Sequence, residues 1–307
     1  MSKHILFIYH SNAGQTQRAV EILAKGFLEG CAELRLSKAK ISCETEYPFP
    51  WPFFQFFSIF PDCVRGRAPK IQLKWEQKCE GEVDLVVLAG PVWFLSPSLP
   101  IQGFFQSESR ILIQGKPVVS LLTSRNMWVS AYQQIRELSH SAGARIVDNI
   151  VLMDCAPPWT TFITTPVWML TGRKKMLGFP EAGIQAVDFE RLKGLGFELA
   201  RQRENWPTGL GFLEGKNSVA LAEKYILPEM VVKTMLFKPW SAWIHKAEAL
   251  GSGSKKFWVY CFILSLVGSI LVLIPSILFA KIFLKIFAKK FLRQLKAQVL
   301  LPYNVSE

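Results

Sequence analysis

The residues best placed to do chemistry lie near the start of the chain. Ser11-Asn12-Ala13-Gly14-Gln15-Thr16 follow a short apolar run, Ile5–Tyr9, and precede a stretch with helical apolar spacing. A loop that leaves a strand and opens a helix offers free backbone N–H groups and the positive end of the helix dipole, which favours a phosphate. Ser11 and Thr16 add hydroxyl donors. The loop has no lysine, which separates it from nucleoside-triphosphate loops, and no GxGxxG, which separates it from the dinucleotide fingerprint. A phosphate monoester with few charged contacts is the better reading; a merely capped helix is the plainer alternative. Groups for proton transfer are sparse. His10 adjoins the loop and reads first as a strand-end residue, His140 stands on a helix with no visible partner, and His4 and His245 carry no signal. Cys63 and Cys155 border aromatic segments and read as small buried side chains. No Ser/His/Asp constellation can be identified, so the catalytic groups stay unassigned.

The elements around this loop define an α/β pattern. Ile5–Tyr9, Asp84–Ala89, Val118–Leu122 and Ile146–Met153 are apolar runs of strand length, with Glu33–Leu36 a further candidate. Gln17–Glu29, Ala131–Ser141 and Asp188–Arg203 have helical composition, and Ala19, Val20, Leu23 and Phe27 share one face of the first. Strands buried on both faces and alternating with helices predict a doubly wound parallel sheet. Ligands in such sheets sit beyond the carboxyl ends of the strands. Three loops lie there: Ser11–Thr16, Gly90–Pro97 and Thr123–Trp128. Two apolar excursions do not belong to a minimal sheet, Tyr47–Pro61 (YPFPWPFFQFFSIFP) and Cys155–Pro180. Both are too apolar for solvated loops and are expected to pack on each other as a lid or to touch lipid.

A hydroxyl-rich first loop, followed by a strand ending Gly90-Pro91-Val92-Trp93 and the proline-bearing Ser96-Pro97-Ser98-Leu99-Pro100, resembles the flavodoxin-like superfamily in its flavin-dependent oxidoreductase branch. The resemblance covers roughly residues 3–204. It implies a five-stranded parallel sheet of order 2-1-3-4-5 and bound FMN. The phosphate would lie on Ser11, Asn12, Gly14, Gln15 and Thr16. The isoalloxazine would lie against Pro91, Val92, Trp93 and Phe94, with its other edge near Thr123, Ser124 and Arg125. Family members often carry glycines in the third loop, where this chain has Arg125-Asn126-Met127. Arg125 would stabilise an anionic reduced flavin or make a surface salt bridge. The Tyr47-Pro48-Phe49-Pro50-Trp51 block, with Phe56-Phe57 and Phe60-Pro61, is similar to the dialkylresorcinol condensing enzymes of that superfamily. This narrower likeness implies a long-chain cyclic dione as substrate, aromatisation as the reaction and a ketosynthase as partner.

The end of the chain points to lipid. Phe257–Ala280 is an apolar run with no charged side chain, followed by the basic stretch Lys281–Lys296. As a helix the run would extend about 36 Å, against a hydrocarbon core of roughly 30 Å. Lys255 and Lys256 precede it, and Lys281, Lys285, Lys289, Lys290, Arg293 and Lys296 follow. A single span would place the heavier positive flank inside and the first domain outside, in conflict with an intracellular cofactor binder. Pro275 offers a kink at which the run turns back to the same side. Phe283, Phe287, Phe291 and Leu295 form a ladder opposite Lys281, Lys285, Lys289, Arg293 and Lys296, with Lys290 and Leu292 breaking the pattern, as in a helix lying in the interface. The expected location is the cytoplasmic face of the cell membrane.

These segments divide the 307 residues into a flavodoxin-like domain (1–204, with insertions at about 42–76 and 155–181), a helical connector (205–250) with breaks at Pro228 and Pro239, and a membrane-associated end (251–307). Of the net charge of +12, the segment from Gly251 onward supplies +7, and the mild +5 that remains is no nucleic-acid footprint. Six cysteines without a CxxC pair predict reduced thiols and no metal site. Ile5–Tyr9 is too short for a signal peptide. The functional expectation is an FMN-dependent oxidoreductase acting on a hydrophobic, lipid-derived or quinone-like substrate. Alternatives are an NAD(P)H-quinone reductase, a membrane-anchored electron carrier and a flavin-free scaffold. Arg173-Lys174-Lys175 would meet a nicotinamide phosphate or lipid headgroups, the apolar surroundings favouring the latter.

Overall fold

The apolar runs become the central strands of a sheet covered on both faces. The computed structural model describes residues 2–78, 80–154, 158–219 and 226–287. Strands β1 (His4–Tyr9), β2 (Arg35–Cys43), β4 (Leu85–Trp93), β6 (Pro117–Ser124) and β7 (Arg145–Met153) are parallel in the order β2-β1-β4-β6-β7. This is the expected parallel core. The sheet is larger than five strands, however. β3 (Ile71–Gln77) pairs antiparallel outside β2, and the two-residue β5 (Ser96–Pro97) pairs antiparallel with the end of β4. Both additions have a physical reason. Ser37–Lys40 looks too polar for a buried strand, but β2 alternates buried Ala39 and Ile41 with half-exposed Lys38 and Lys40, as a strand near a sheet edge does. Ile71 and Leu73 of β3 alternate with exposed residues in the same way.

Helices α1 (Gln15–Gly30) and α7 (Ala186–Arg201) cover one face, where Phe7, Phe27, Leu192 and Leu199 are fully buried. Their backbones approach at glycines: a Cβ at Gly26 would lie 2.1 Å from the Lys193 carbonyl oxygen. Helices α4 (Leu99–Gln106) and α5 (Val129–Ser141) cover the other face over Leu6, Ile8, Val86 and Leu122.

The aromatic segment folds into two short helices, α2 (Phe53–Ser58) and α3 (Phe60–Arg65). It packs on the second excursion, which forms α6 (Pro158–Thr171). The Trp51 N–H donates to the Met169 carbonyl at 2.8 Å, and Phe49 meets Trp168 edge to face at 5.7 Å.

The connector continues as α8 (Ile226–Val231), a π-helical turn (Val232–Phe237) and α9 (Lys238–Glu248). The expected breaks do not occur: Pro228 sits in the first turn of α8, where an N–H has no intrahelical acceptor, and Pro239 follows directly on the π-helical turn, where the bonding pattern is already altered. Helix α10 (Ser252–Phe287) continues through Pro275, where a turn back was expected. Its side chains are described as far as Ser269. Among the described residues no helix is long and apolar enough to cross a membrane. The first part of the apolar run is used against protein instead: Val259 and Phe262 are fully buried, and Phe262 stacks on Phe60 with ring centroids 3.9 Å apart. The side chains of Lys281–Lys296 lie outside the described residues. Glu248 fastens α9 to its neighbours by accepting from Arg67 (2.8 Å) and Lys255 (2.6 Å), and these two bonds hold its pKa down to about 2.

Candidate functional site

Three strand ends bring the expected loops together. Pro91 on β4 lies opposite Thr123 on β6, and Tyr9 on β1 opposite Ala89. The order of the sheet reverses between β1 and β4, and that switch point is where open α/β sheets bind ligands.

The first loop leaves several hydrogen-bond donors open. Gly14 takes the left-handed conformation (φ 80°) before α1, no side chain caps the helix, and a Cβ at Gly14 would meet open space. The first N–H groups of α1 therefore have no intrahelical acceptor and no side-chain cap from Gly14. Ser11 Oγ and Asn12 Nδ2 are buried and have no hydrogen-bond partner among the described residues. Such atoms cost about 1–3 kcal/mol each unless a ligand or water satisfies them. Thr16 Oγ1 lies 2.8 Å from Thr123 Oγ1, which ties the first loop to the third. Gln15 is pinned by its Oε1, which accepts from the Ile184 N–H at 2.9 Å. The neighbouring Gly183 N–H donates to Asp154 Oδ2, also at 2.9 Å, so the segment before α7 closes over the loop.

His10 stands beneath this loop. Its Nδ1 lies 3.2 Å from the Ile41 carbonyl and its Nε2 has no partner. Burial lowers its pKa to about 4, which makes it neutral near pH 7 and a weak base. Its ring meets Trp93 edge to face at 5.7 Å.

The second loop is apolar and crowded. Trp93 is 6% exposed and meets Tyr47 (5.1 Å) and Trp51 (5.4 Å). Phe94 lies against Phe56 (5.1 Å) and Phe60 (5.4 Å). Both residues expected to flank a ring are thus embedded in the aromatic segment. Pro91 and Val92 are half-buried and nearer the strand end. The turn itself is strained. Phe94 (φ 49°) and Leu95 (φ 61°) are both left-handed, the geometry of a two-residue hairpin normally filled by Asn-Gly. In the third loop Thr123 is buried, while Ser124 and Arg125 are half-buried. The Ser124 carbonyl accepts from the Asp154 N–H at 3.2 Å.

Sequence reasoning missed Glu229. Its carboxylate accepts from the N–H groups of Ser130 (2.6 Å) and Val129 (3.2 Å), and so caps α5 directly after the third loop. Burial raises its pKa while these N–H groups oppose the rise. A lone acid among Ile226, Met230 and Val231 was the available signal.

Two cavities stand apart from the crevice. One, of about 470 Å³, lies between α1 and the start of β2, at the amino ends of the strands and far from the switch point. The other, of about 320 Å³, lies behind the Phe94 turn.

Among solved structures the chain is similar to a flavodoxin from the domain Archaea (12% identity, 66% of this chain and 99% of that one, TM-score 0.37). It is also similar to a flavoprotein in complex with FMN from Lactobacillus acidophilus (21%, 49% and 93%, TM-score 0.37). A WrbA-like flavodoxin from Agrobacterium tumefaciens gives 14%, 67% and 99%, with TM-score 0.37. No protein-family model matches the chain, and no curated protein matches it.

Proposed function

We propose that this chain is an FMN-dependent oxidoreductase acting on a hydrophobic cyclic dione or quinone-like substrate at a membrane surface, in chemistry of the kind that aromatises dialkylresorcinol lipids. The observation that carries the reading is the pair of buried, unpartnered donors, Ser11 Oγ and Asn12 Nδ2, at the uncapped start of α1. They fit a phosphate monoester. Ser11, Asn12, Gly14, Gln15 and Thr16 would hold the phosphate. Pro91, Val92, Thr123, Ser124 and Arg125 would border the ring, with Trp93 and Phe94 behind them. FMN supplies a two-electron acceptor, which matches loss of two electrons and two protons from a cyclic dione.

The protein's own groups shape the rest. Thr16 and Thr123 hold two walls of the crevice together through their hydroxyls. The rings of Tyr47, Trp51 and Trp93 exclude water from its inner side. Lipid contact is supported by the outer face of α10, where Phe257, Tyr260, Leu264 and Val267 are exposed next to Lys255 and Lys256, and by exposed Trp243 on α9. Trp and Tyr at that level suit the interfacial zone of a bilayer. A ketosynthase partner and a cytoplasmic location belong to the same reading; NAD(P)H as electron source belongs to the alternative in which a quinone is reduced.

One observation favours a second reading. Trp93 is so enclosed that little of its ring is left to contact a substrate, which suits a carrier that passes electrons through an exposed flavin edge. Anaerobic titration of the full-length protein in detergent, loaded with FMN, separates the two. Bleaching by alkylcyclohexane-1,3-diones, or reoxidation of the reduced form by quinones, marks the enzyme. Exchange with protein donors alone marks the carrier. Protein that stays colourless with added FMN rules out both.

A further inference from the structure

The cavity of about 320 Å³ behind the Phe94 turn has the chemistry of a second binding site. Its apolar floor is Phe94, Phe237 and Val64; its polar rim is Gln133, Gln134 and Glu137 from α5 with Lys233 and Lys238 from the C-terminal helices. The two lysines reach one cavity because of the backbone. Residues five apart point about 140° from each other on an α-helix. Here the Lys238 N–H bonds to the Lys233 carbonyl, the i→i+5 bond of a π-helix, which brings the two positions over one another. π-Helical turns are frequent at functional sites.

The charges leave room for an anion. No ion pair of Lys233 or Lys238 closer than 4.0 Å occurs among the described residues. Glu229, one turn before Lys233, is committed to the N–H groups of Val129 and Ser130. Glu137 is exposed at the rim. Burial lowers the Lys233 pKa, Glu229 opposes the shift, the neighbouring Lys238 adds to it, and Glu137 on the rim opposes it more weakly. An anion between the two ammonium groups would relieve that repulsion. The left-handed turn Phe94-Leu95, of which Phe94 lines the cavity, is a further local cost held in place by its surroundings.

We propose that this cavity binds a small planar organic anion, with its acid group between Lys233 and Lys238, its ring on Phe94 and Phe237, and a second polar substituent at Gln133 or Gln134. The volume is near the lower end for ligand pockets and holds one substituted ring. The site stands whether or not flavin binds in the crevice.

The test titrates 4-fluorobenzoate into the full-length protein in detergent, with and without FMN, and follows binding by fluorine NMR. Saturable binding is expected below ~10 mM, with 4-fluorobenzylamine not competing and unlabelled benzoate competing. Each of Lys233→Gln and Lys238→Gln should weaken binding about tenfold, the value of a charge-assisted hydrogen bond. Lys233→Arg should retain it and verifies the fold. Lys25→Gln, in the groove beside α1, should leave it unchanged. Absence of saturable binding, equal binding of the amine, or a loss with Lys25→Gln equal to that with Lys233→Gln would overturn the proposal.

Discussion

The two ends of the crevice are built on opposite principles. At the start of α1 the protein buries donors and leaves them unpartnered, with Gly14 facing open space. At the Trp93–Phe94 turn it buries rings that satisfy one another, from His10 through Trp93 to Trp51 and Phe56. An unmet hydrogen bond is a standing cost, whereas edge-to-face rings gain about 0.5–1.5 kcal/mol per pair beyond their burial. The first arrangement leaves its donors open to a ligand; the second is filled by its own rings, with the ring nitrogens His10 Nε2 and Trp51 Nε1 left without a partner among the described residues. The phosphate half of the cofactor reading therefore has a structural cause of its own, and the ring half rests on what surrounds it.

This contrast can be broken at the ring end first. Phe60 is fully buried where the aromatic segment, the Phe94 turn and α10 meet. Phe60→Ala is expected to cost about 3–5 kcal/mol in chemical denaturation, as large cavities do. If these rings are mainly structural, the variant, while folded, keeps its FMN affinity within about threefold. A loss of affinity far beyond that would mean that the aromatic segment holds the flavin directly.

A buried polar atom away from the crevice sharpens the comparison. Asp148 on β7 is 4% exposed, one of its oxygens is unpartnered, and burial raises its pKa from 3.8 to about 7. Between those values the native state keeps a proton that the unfolded chain has lost. Stability from this group is therefore complete below about pH 4 and falls as pH rises through 7, by up to about 4 kcal/mol. Asp148→Asn should flatten that part of the stability profile and make the protein more stable than the parent at pH 8. Urea titrations at pH 5 and pH 8 check this; an unchanged slope would mean that the carboxyl is solvated in the native state. Here an unmet polar group produces pH dependence and not a demand for ligand.

How much was legible follows from the same physics. Ile5–Tyr9, Val118–Leu122 and Ile146–Met153 announce themselves because strands covered on both faces are apolar throughout. β3 and the outer half of β2 do not, since a strand near an edge alternates and carries lysines. The place of the first loop between β1 and α1 was readable from its residue types, because a polar, glycine-bearing stretch between an apolar run and a helical pattern is a local signal. The burial of Trp93 was not, because it depends on Tyr47 and Trp51, more than 40 residues away in the chain. Phe257–Ala280 reads as one uniform run, yet Val259 and Phe262 turn inward while Leu264 is 72% exposed; only tertiary contact separates them. Glu229 and the register of the two π-helical lysines are equally non-local.

The smallest expected effect bears on the central claim most directly. Flavin binding to the full-length protein in detergent is measured with FMN and with riboflavin, which differ only in the phosphate. The account predicts that FMN binds at least about thirtyfold more tightly, and that Ser11→Ala and Asn12→Ala each reduce that ratio about three- to tenfold while leaving riboflavin affinity unchanged. Equal affinity for the two flavins, or a ratio untouched by both substitutions, would contradict it.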